Sequence, residues 1–202
     1  MIQTHPKFLN LEEFIDRYGD RDRYELIDGE LIDLEPTGLH EQVISFISRK
    51  LNVEIDRFDL PYFIPHRCLV RISDNTAFRP DLIVLDKTQL VRESLWKHQP
   101  IITSNIAIKL IVEVVSTNWQ NDYARKVEDY ALFGIPEYWI VDYLGLGGRE
   151  YIGDPKQPTI TCCQLKSDVY EKRRFRQNET FAALIFPDLQ IPADAIFTAG
   201  QL

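Results

Sequence analysis

The sequence predicts an α/β (α+β) fold, a mixed central sheet flanked by helices with a β-rich C-terminal extension. Three stretches carry that expectation. Residues 106–142 read as strand, helix and strand, Tyr24-Glu-Leu-Ile-Asp-Gly-Glu-Leu-Ile-Asp33 reads as a hairpin, and the chain after Asp142 returns to short β-like runs. A strand, a helix and a second strand in one sheet almost always form a right-handed parallel crossover.

Taken in order, residues 9–18 hold a short helical pattern that Asn10 can cap, with Leu11, Phe14 and Ile15 on one face. In the hairpin, Asp28-Gly29 supplies the positive backbone angles of a two-residue turn. A longer helix is expected from Gly38 to about Phe58, with Val43, Ile44, Ile47, Leu51, Ile55 and Phe58 as its apolar face. His40, four residues before Ile44, points inward at its first turn. Residues 62–72 predict one or two strands broken near Pro65. Arg79-Pro-Asp-Leu-Ile-Val-Leu-Asp86 predicts a strand on which Asp81 shares a face with Ile83 and Leu85. Residues 87–105 are polar around Trp96 and read as a long loop with a helical turn.

The central unit starts with a β-branched strand over 106–115, on which Glu113 and Val115 share one face and Val112 and Val114 the other. Ser116, Thr117 and Asn118 can open a helix, Gly134 can stop it, and Tyr138-Trp-Ile-Val141 resumes strand chemistry. On the helix, Asp122, Lys126 and Tyr130 recur at four-residue spacing beside an apolar arc of Tyr123, Val127 and Ala131. Beyond a turn at 145–148, strands are expected near 149–152, 159–165 and 169–176, and the tail 181–197 as loop plus a short turn. Lys172, Arg173, Arg174 and Arg176 make a basic stretch that is either a solvated outer strand or a phosphate-contacting strip.

Bulk properties narrow the function. The 202 residues fit a single domain, 1–202, with a substantial core. A net charge of −8 and a pI near 5.0 argue against coating nucleic acid by bulk charge. They leave room for a nucleic-acid enzyme whose acidic site carries a divalent metal. Cys68, Cys162 and Cys163 have no zinc spacing and no even disulfide framework, and read as buried structural thiols of a reducing compartment. The start, Met1-Ile-Gln-Thr-His-Pro6, lacks a secretory pattern, and no run is apolar enough to span a bilayer. A cytoplasmic protein is therefore expected.

Asp81 on one strand, Glu113 on the next and Lys126 on the following helix form the chemical constellation. Two carboxylates from neighbouring strands suit a hard cation such as magnesium or manganese, whose other ligands are waters and substrate phosphate. Without metal, two such buried carboxylates would repel. The bland alternatives are a strand-end carboxylate bonded to backbone amides and an ion pair between Asp122 and Lys126.

This set, together with Tyr24-Glu-Leu-Ile-Asp-Gly-Glu30, His40, Glu113-Val-Val-Ser116, Tyr130 and Gly134-Ile-Pro-Glu-Tyr-Trp-Ile-Val-Asp142, resembles the PD-(D/E)XK nuclease superfamily. More narrowly, residues 8–190 resemble the Uma-two family of restriction-endonuclease-like proteins. The resemblance implies a restriction-endonuclease-like fold and a magnesium- or manganese-dependent endodeoxyribonuclease. Asp81 and Glu113 would be its metal ligands and Lys126 the catalytic lysine. Val115 stands where the superfamily's lysine usually sits, so the resemblance implies that Lys126 has taken over from the helix. Lys109 shares the strand face but lies about 13 Å from Glu113 at ordinary strand rise. Supporting roles fall to Glu30 from the hairpin, His40, Asp122 and Tyr130, each with an ordinary structural alternative. DNA is the expected partner and a homodimer is expected for cutting both strands. The competing reading is a non-catalytic module of the same fold that binds nucleic acid or a protein, motivated by the acidic pI and Val115.

Overall fold

The computed structural model describes residues 8–34 and 36–202; the N-terminal hexapeptide read above lies outside them. The helices are α1 (Leu11–Tyr18), α2 (Gly38–Arg57), α3 (Lys126–Phe133), α4 (Arg149–Ile152) and α5 (Ala193–Ala199). A five-stranded sheet contains β1 (Tyr24–Ile27), β2 (Glu30–Asp33), β4 (Leu69–Arg71), β5 (Ala77–Phe78) and β7 (Ile101–Ile102) in the order β2-β1-β5-β4-β7. A six-stranded sheet contains β3 (Tyr62–Phe63), β6 (Leu82–Asp86), β8 (Ile108–Val114), β9 (Glu137–Asp142), β10 (Thr159–Lys166) and β11 (Val169–Phe175) in the order β11-β10-β9-β8-β6-β3. The strands β12 (Thr180–Ala182) and β13 (Gln190–Pro192) pair separately. The central pair β8–β9 is parallel and its neighbours are antiparallel, so the sheet is mixed as expected.

Local chemistry explains the elements. Asn10 caps α1 in a reciprocal box with Glu13, and Thr37 caps α2 through the His40 N–H. Asp28 and Gly29 take φ of 51° and 85°, the primed turn that joins β1 to β2. Strand alternation on β8 and β9 divides the core. Val112, Val114, Trp139 and Val141 pack against Val43, Ile47 and Leu51 of α2, whereas Ile111, Val115, Tyr138 and Ile140 face α3 and the five-stranded sheet. The adjacent Cys162 and Cys163 fall on these opposite sides, both buried and unbridged.

Four regions differ from expectation. Ile101–Ile102 is a strand within the segment read as loop, because two apolar residues suffice for parallel pairing with distant β4. The helix after Glu113 begins as a π-helical turn, Asn121–Arg125, before α3. Residues Arg149–Ile152 form the helical turn α4 rather than a strand, and the tail contains a strand pair and α5. In each case the period was too short to read from sequence.

Gly134 ends α3 in the left-handed region at φ 88°, its N–H bonding the carbonyls of Tyr130 and Ala131. Gly134→Ala is expected to destabilise by about 1–2 kcal/mol, the cost of that backbone for an L-residue. Its Cβ would also meet the Asn105 amide that donates to the Gly134 carbonyl at 3.1 Å. A chemical-denaturation midpoint equal to wild type would contradict this account.

Candidate active site

The two sheets and α2 enclose a cleft of about 830 Å³ whose lining includes Glu25, His40, Asp81, Glu113, Asp122 and Lys126. Asp81 enters it just ahead of β6, and its Oδ2 accepts the Val114 N–H at 2.7 Å from the adjacent strand β8. That is the strand-end bond of the bland reading. It also sets Asp81 beside Glu113, whose side chain projects to the α3 side of the sheet.

Lys126 is 4% exposed and lies among three acids. Its Nζ is 3.1 Å from Glu113 Oε1, 3.3 Å from Glu25 Oε1 and 3.6 Å from Asp122 Oδ1. The pair with Asp122 therefore exists, but as part of a buried network and not on an exposed helix face. The π-helical turn adds a residue per turn just before Lys126, a distortion often found at functional sites. Phe78 covers the ammonium from one side, its ring centroid 5.5 Å away.

Supporting groups fix the carboxylates. Tyr130, fully buried, donates to Glu113 Oε1 at 2.7 Å. His40 Nε2 stands 2.9 Å from the Val114 carbonyl and 3.2 Å from Asp81 Oδ2. A carbonyl only accepts, so Nε2 carries the proton and is shared between the two oxygens. Among the described residues the buried His40 Nδ1 has no hydrogen-bond partner, the Glu41 Oε1 standing 4.0 Å away.

Electrostatics follow from four acids gathered about one ammonium. Burial pushes Glu113 well above the usual carboxylate range; Lys126 opposes this, while Asp81, Glu25 and Asp122 add to it. Burial raises Glu25 as well, against the pull of Lys126, and lifts Asp122 to about 7. For Lys126, burial disfavours the charge, but Glu113, Glu25 and Asp122 outweigh it and hold the amine protonated. Burial likewise works against a charged His40, and the hydrogen bond and charge of Asp81 overcome it, raising its pKa.

One expectation changes. Glu30 is exposed on edge strand β2 and does not line the cleft; the hairpin's contribution is Glu25, 1% exposed on β1. Strand β1 lies between β2 and β5, so an acid there is covered, whereas Glu30 opens the outer strand. Glu25 Oε1 also accepts the Arg79 N–H at 2.7 Å, linking the hairpin to the Pro80-Asp81 corner. Strand alternation marks Glu25 as facing one way, but only the strand order shows that this way is inward. Val115 is 1% exposed among Tyr123, Ile140 and Ile152, an apolar seat ill suited to the lysine of the usual motif. Lys109 bonds Asp86 at 3.3 Å, at the far end of β8.

Among the described residues, no three or more His, Cys, Asp or Glu side chains form a closed metal-binding group. An open hard-cation site needs less, one or two carboxylates plus water and phosphate. The bonds to Val114, His40, Tyr130 and Lys126 all fall on Oδ2 of Asp81 and Oε1 of Glu113, leaving Oδ1 and Oε2 clear of them. At the floor of the cleft, Glu25, Asp81, Glu113 and Asp122 outnumber the one ammonium that they act on, that of Lys126. The donor set fits a divalent hard cation.

Comparison with known proteins follows the same direction. The sequence profile described as "Uma2: Putative restriction endonuclease" matches residues 11–194. A solved structure described as "a putative nuclease belonging to DUF820 from Anabaena variabilis ATCC 29413" has a similar fold, with a TM-score of 0.71. The likeness covers 96% of this chain and 99% of that one at 17% sequence identity. No curated protein matches the chain.

Proposed function

The chain belongs to the Uma2 family, and from that premise we propose that it is a metal-dependent endonuclease hydrolysing DNA phosphodiester bonds. The observation that carries the reading is one cleft floor with Asp81 and Glu113 from adjoining strands and the Lys126 ammonium 3.1 Å from Glu113. Asp81 and Glu113 would hold magnesium or manganese. A bound divalent ion supplies polarisation of the phosphate and a lowered pKa for attacking water.

The chain's own groups do the remainder. Lys126 offers a fixed positive charge to the phosphate oxygens as their charge grows, and Glu25 and Asp122 keep that ammonium from swinging away. Tyr130 fixes the Glu113 carboxylate, and His40 with the Val114 N–H fixes that of Asp81.

Calorimetric manganese titration tests the ligand assignment. Asp81→Asn and Glu113→Gln nearly preserve shape while removing charge, and each is expected to weaken binding about tenfold or more. Metal-free stability should hold or rise, since a crowded buried negative charge is gone. Wild-type affinity in both variants refutes the ligands. Intact plasmid, linear and single-stranded DNA after incubation with either metal would favour the non-catalytic module.

A further inference from the structure

We infer that the cleft receives one unpaired DNA strand, threaded between α2 and the segment 64–67, and not an intact duplex; this rests on the nuclease reading above. Depth is the first argument. The Glu113 and Lys126 side chains are 3% and 5% exposed, so a phosphate must descend into the cleft to meet them. A duplex carries its phosphates on a convex outer surface and its bases stacked inside. A space of about 830 Å³ matches a few nucleotides of one strand, since single bound organic ligands occupy about 300–1,000 Å³.

The lining is the second argument, because it is layered. Glu25, Asp81, Glu113 and Asp122 lie on the floor, and hydrogen-bond donors stand above them, with the exposed acids Asp22 and Glu41 among them. On α2, Ser45, Ser48, Arg49 and Asn52 line the cleft together with Glu41, at helical spacings that put them on one face. From Glu41 to Asn52 this row runs about 16 Å at ordinary helical rise. That gives room for at most about four or five nucleotides, the number at the stacked rise of about 3.4 Å, and for fewer when the bases are unstacked. Arg49 is exposed and rests over the Phe46 ring with its centroid 5.5 Å away, which directs the guanidinium without neutralising it. Across the cleft stand the exposed His66 and Arg67, the latter 3.3 Å from Asp22.

Apolar groups are the third. Apolar side chains line the cleft as well: Ile32, Leu34 and Pro36 from β2 and the loop after it, Ile44 from α2, and Ile64 and Pro65 from the facing segment. A duplex backbone is sugar and phosphate and has no use for such surfaces. Unstacked bases do, and strand-binding grooves pair cationic walls with flat apolar contacts in this way. Outer strand β11, with the exposed Lys172, Arg173 and Arg174, lies at the opposite edge of its sheet from β3 and lines no part of the cleft.

Fluorescence anisotropy with a 12-nucleotide DNA, single-stranded or as its blunt duplex, tests the inference in calcium buffer. The single strand is expected to bind at least tenfold tighter. Arg49→Glu should weaken it fivefold or more and flatten the salt dependence by about one unit of slope, while Lys172→Glu leaves both unchanged. Equal or tighter duplex binding, or an unaffected Arg49→Glu, overturns the inference. Cleavage in manganese separates the two readings. A duplex cut while the single strand is spared keeps the nuclease and removes the threaded strand. A strand bound through Arg49 but never cut keeps the strand site and removes the nuclease.

Discussion

Lys126→Met is expected to lower DNA cleavage by a hundredfold or more and to cost the fold about 3–5 kcal/mol at neutral pH. The catalytic part follows from losing one preorganised charge beside Glu113. The stability part follows from burial: without the ammonium, Glu25, Glu113 and Asp122, at 1%, 2% and 7% exposure, must either stay charged with no compensating cation or take up protons on folding. The sign of the pH dependence is fixed by this. All three carboxyls already have folded pKa values above their ordinary 4.5, 4.5 and 3.8, and removing Lys126 raises them further. A raised folded pKa gives stability that is complete below the ordinary value and is lost as pH climbs through the folded one. The variant should therefore approach wild-type stability near pH 4 and fall behind through pH 7, the range in which Asp122 titrates in the intact protein. Manganese should recover part of the loss, because a divalent ion at Asp81 and Glu113 replaces missing positive charge. Thermal melts at pH 4.5 and 7.5, with and without manganese, read all of this. Lys109→Met is the control, since its partner Asp86 lies outside the cleft lining. An active Lys126→Met protein paired with an inactive Lys109→Met protein would overturn the assignment.

The contrast between one partner and three shows where sequence reading ran out. Four-residue spacing on a helix made Asp122 visible as a neighbour of Lys126, and strand alternation put Glu113 on the face toward α3. Both inferences need only local periodicity. Glu25 is 101 residues from Lys126, and its approach depends on β1 pairing with β5, which no local pattern encodes. The same limit applies to β7, two residues that pair with β4, more than 30 positions earlier. His40 was legible as inward-facing from its place before Ile44, but its bonds to Asp81 and Val114 required the packing of α2 over β8. The basic stretch needed the sheet order: β11 is an outer strand, where exposed charges are ordinary and protect the edge.

The stretch Gly134 to Asp142, one of those that carry the family resemblance, contains two acids outside the cleft lining. Asp142 accepts the N–H groups of Leu146 at 2.9 Å and Gly147 at 2.7 Å, closing the turn before α4. Glu137 is wholly buried at the start of β9. Its Oε1 accepts the Trp139 indole N–H at 2.8 Å, its Oε2 accepts the Ile185 N–H at 2.9 Å, and both oxygens share the Leu184 N–H at 3.0 Å. The carboxylate thus stands in for a strand partner and ties the C-terminal segment to the central sheet. Glu137→Gln keeps the shape but turns one acceptor oxygen into a donor that faces other donors. At least one buried N–H then loses its bond, so the expected cost is about 2–3 kcal/mol, more than a neutral hydrogen bond alone contributes. Trp139 reports the change directly, since its ring packs 4.4 Å from Phe181 and its N–H loses or lengthens its bond. Denaturation should shift to lower urea with altered near-ultraviolet dichroism, while manganese affinity stays at the wild-type value. A Glu137→Gln protein of unchanged stability but weakened metal binding would show instead that this acid serves the cleft.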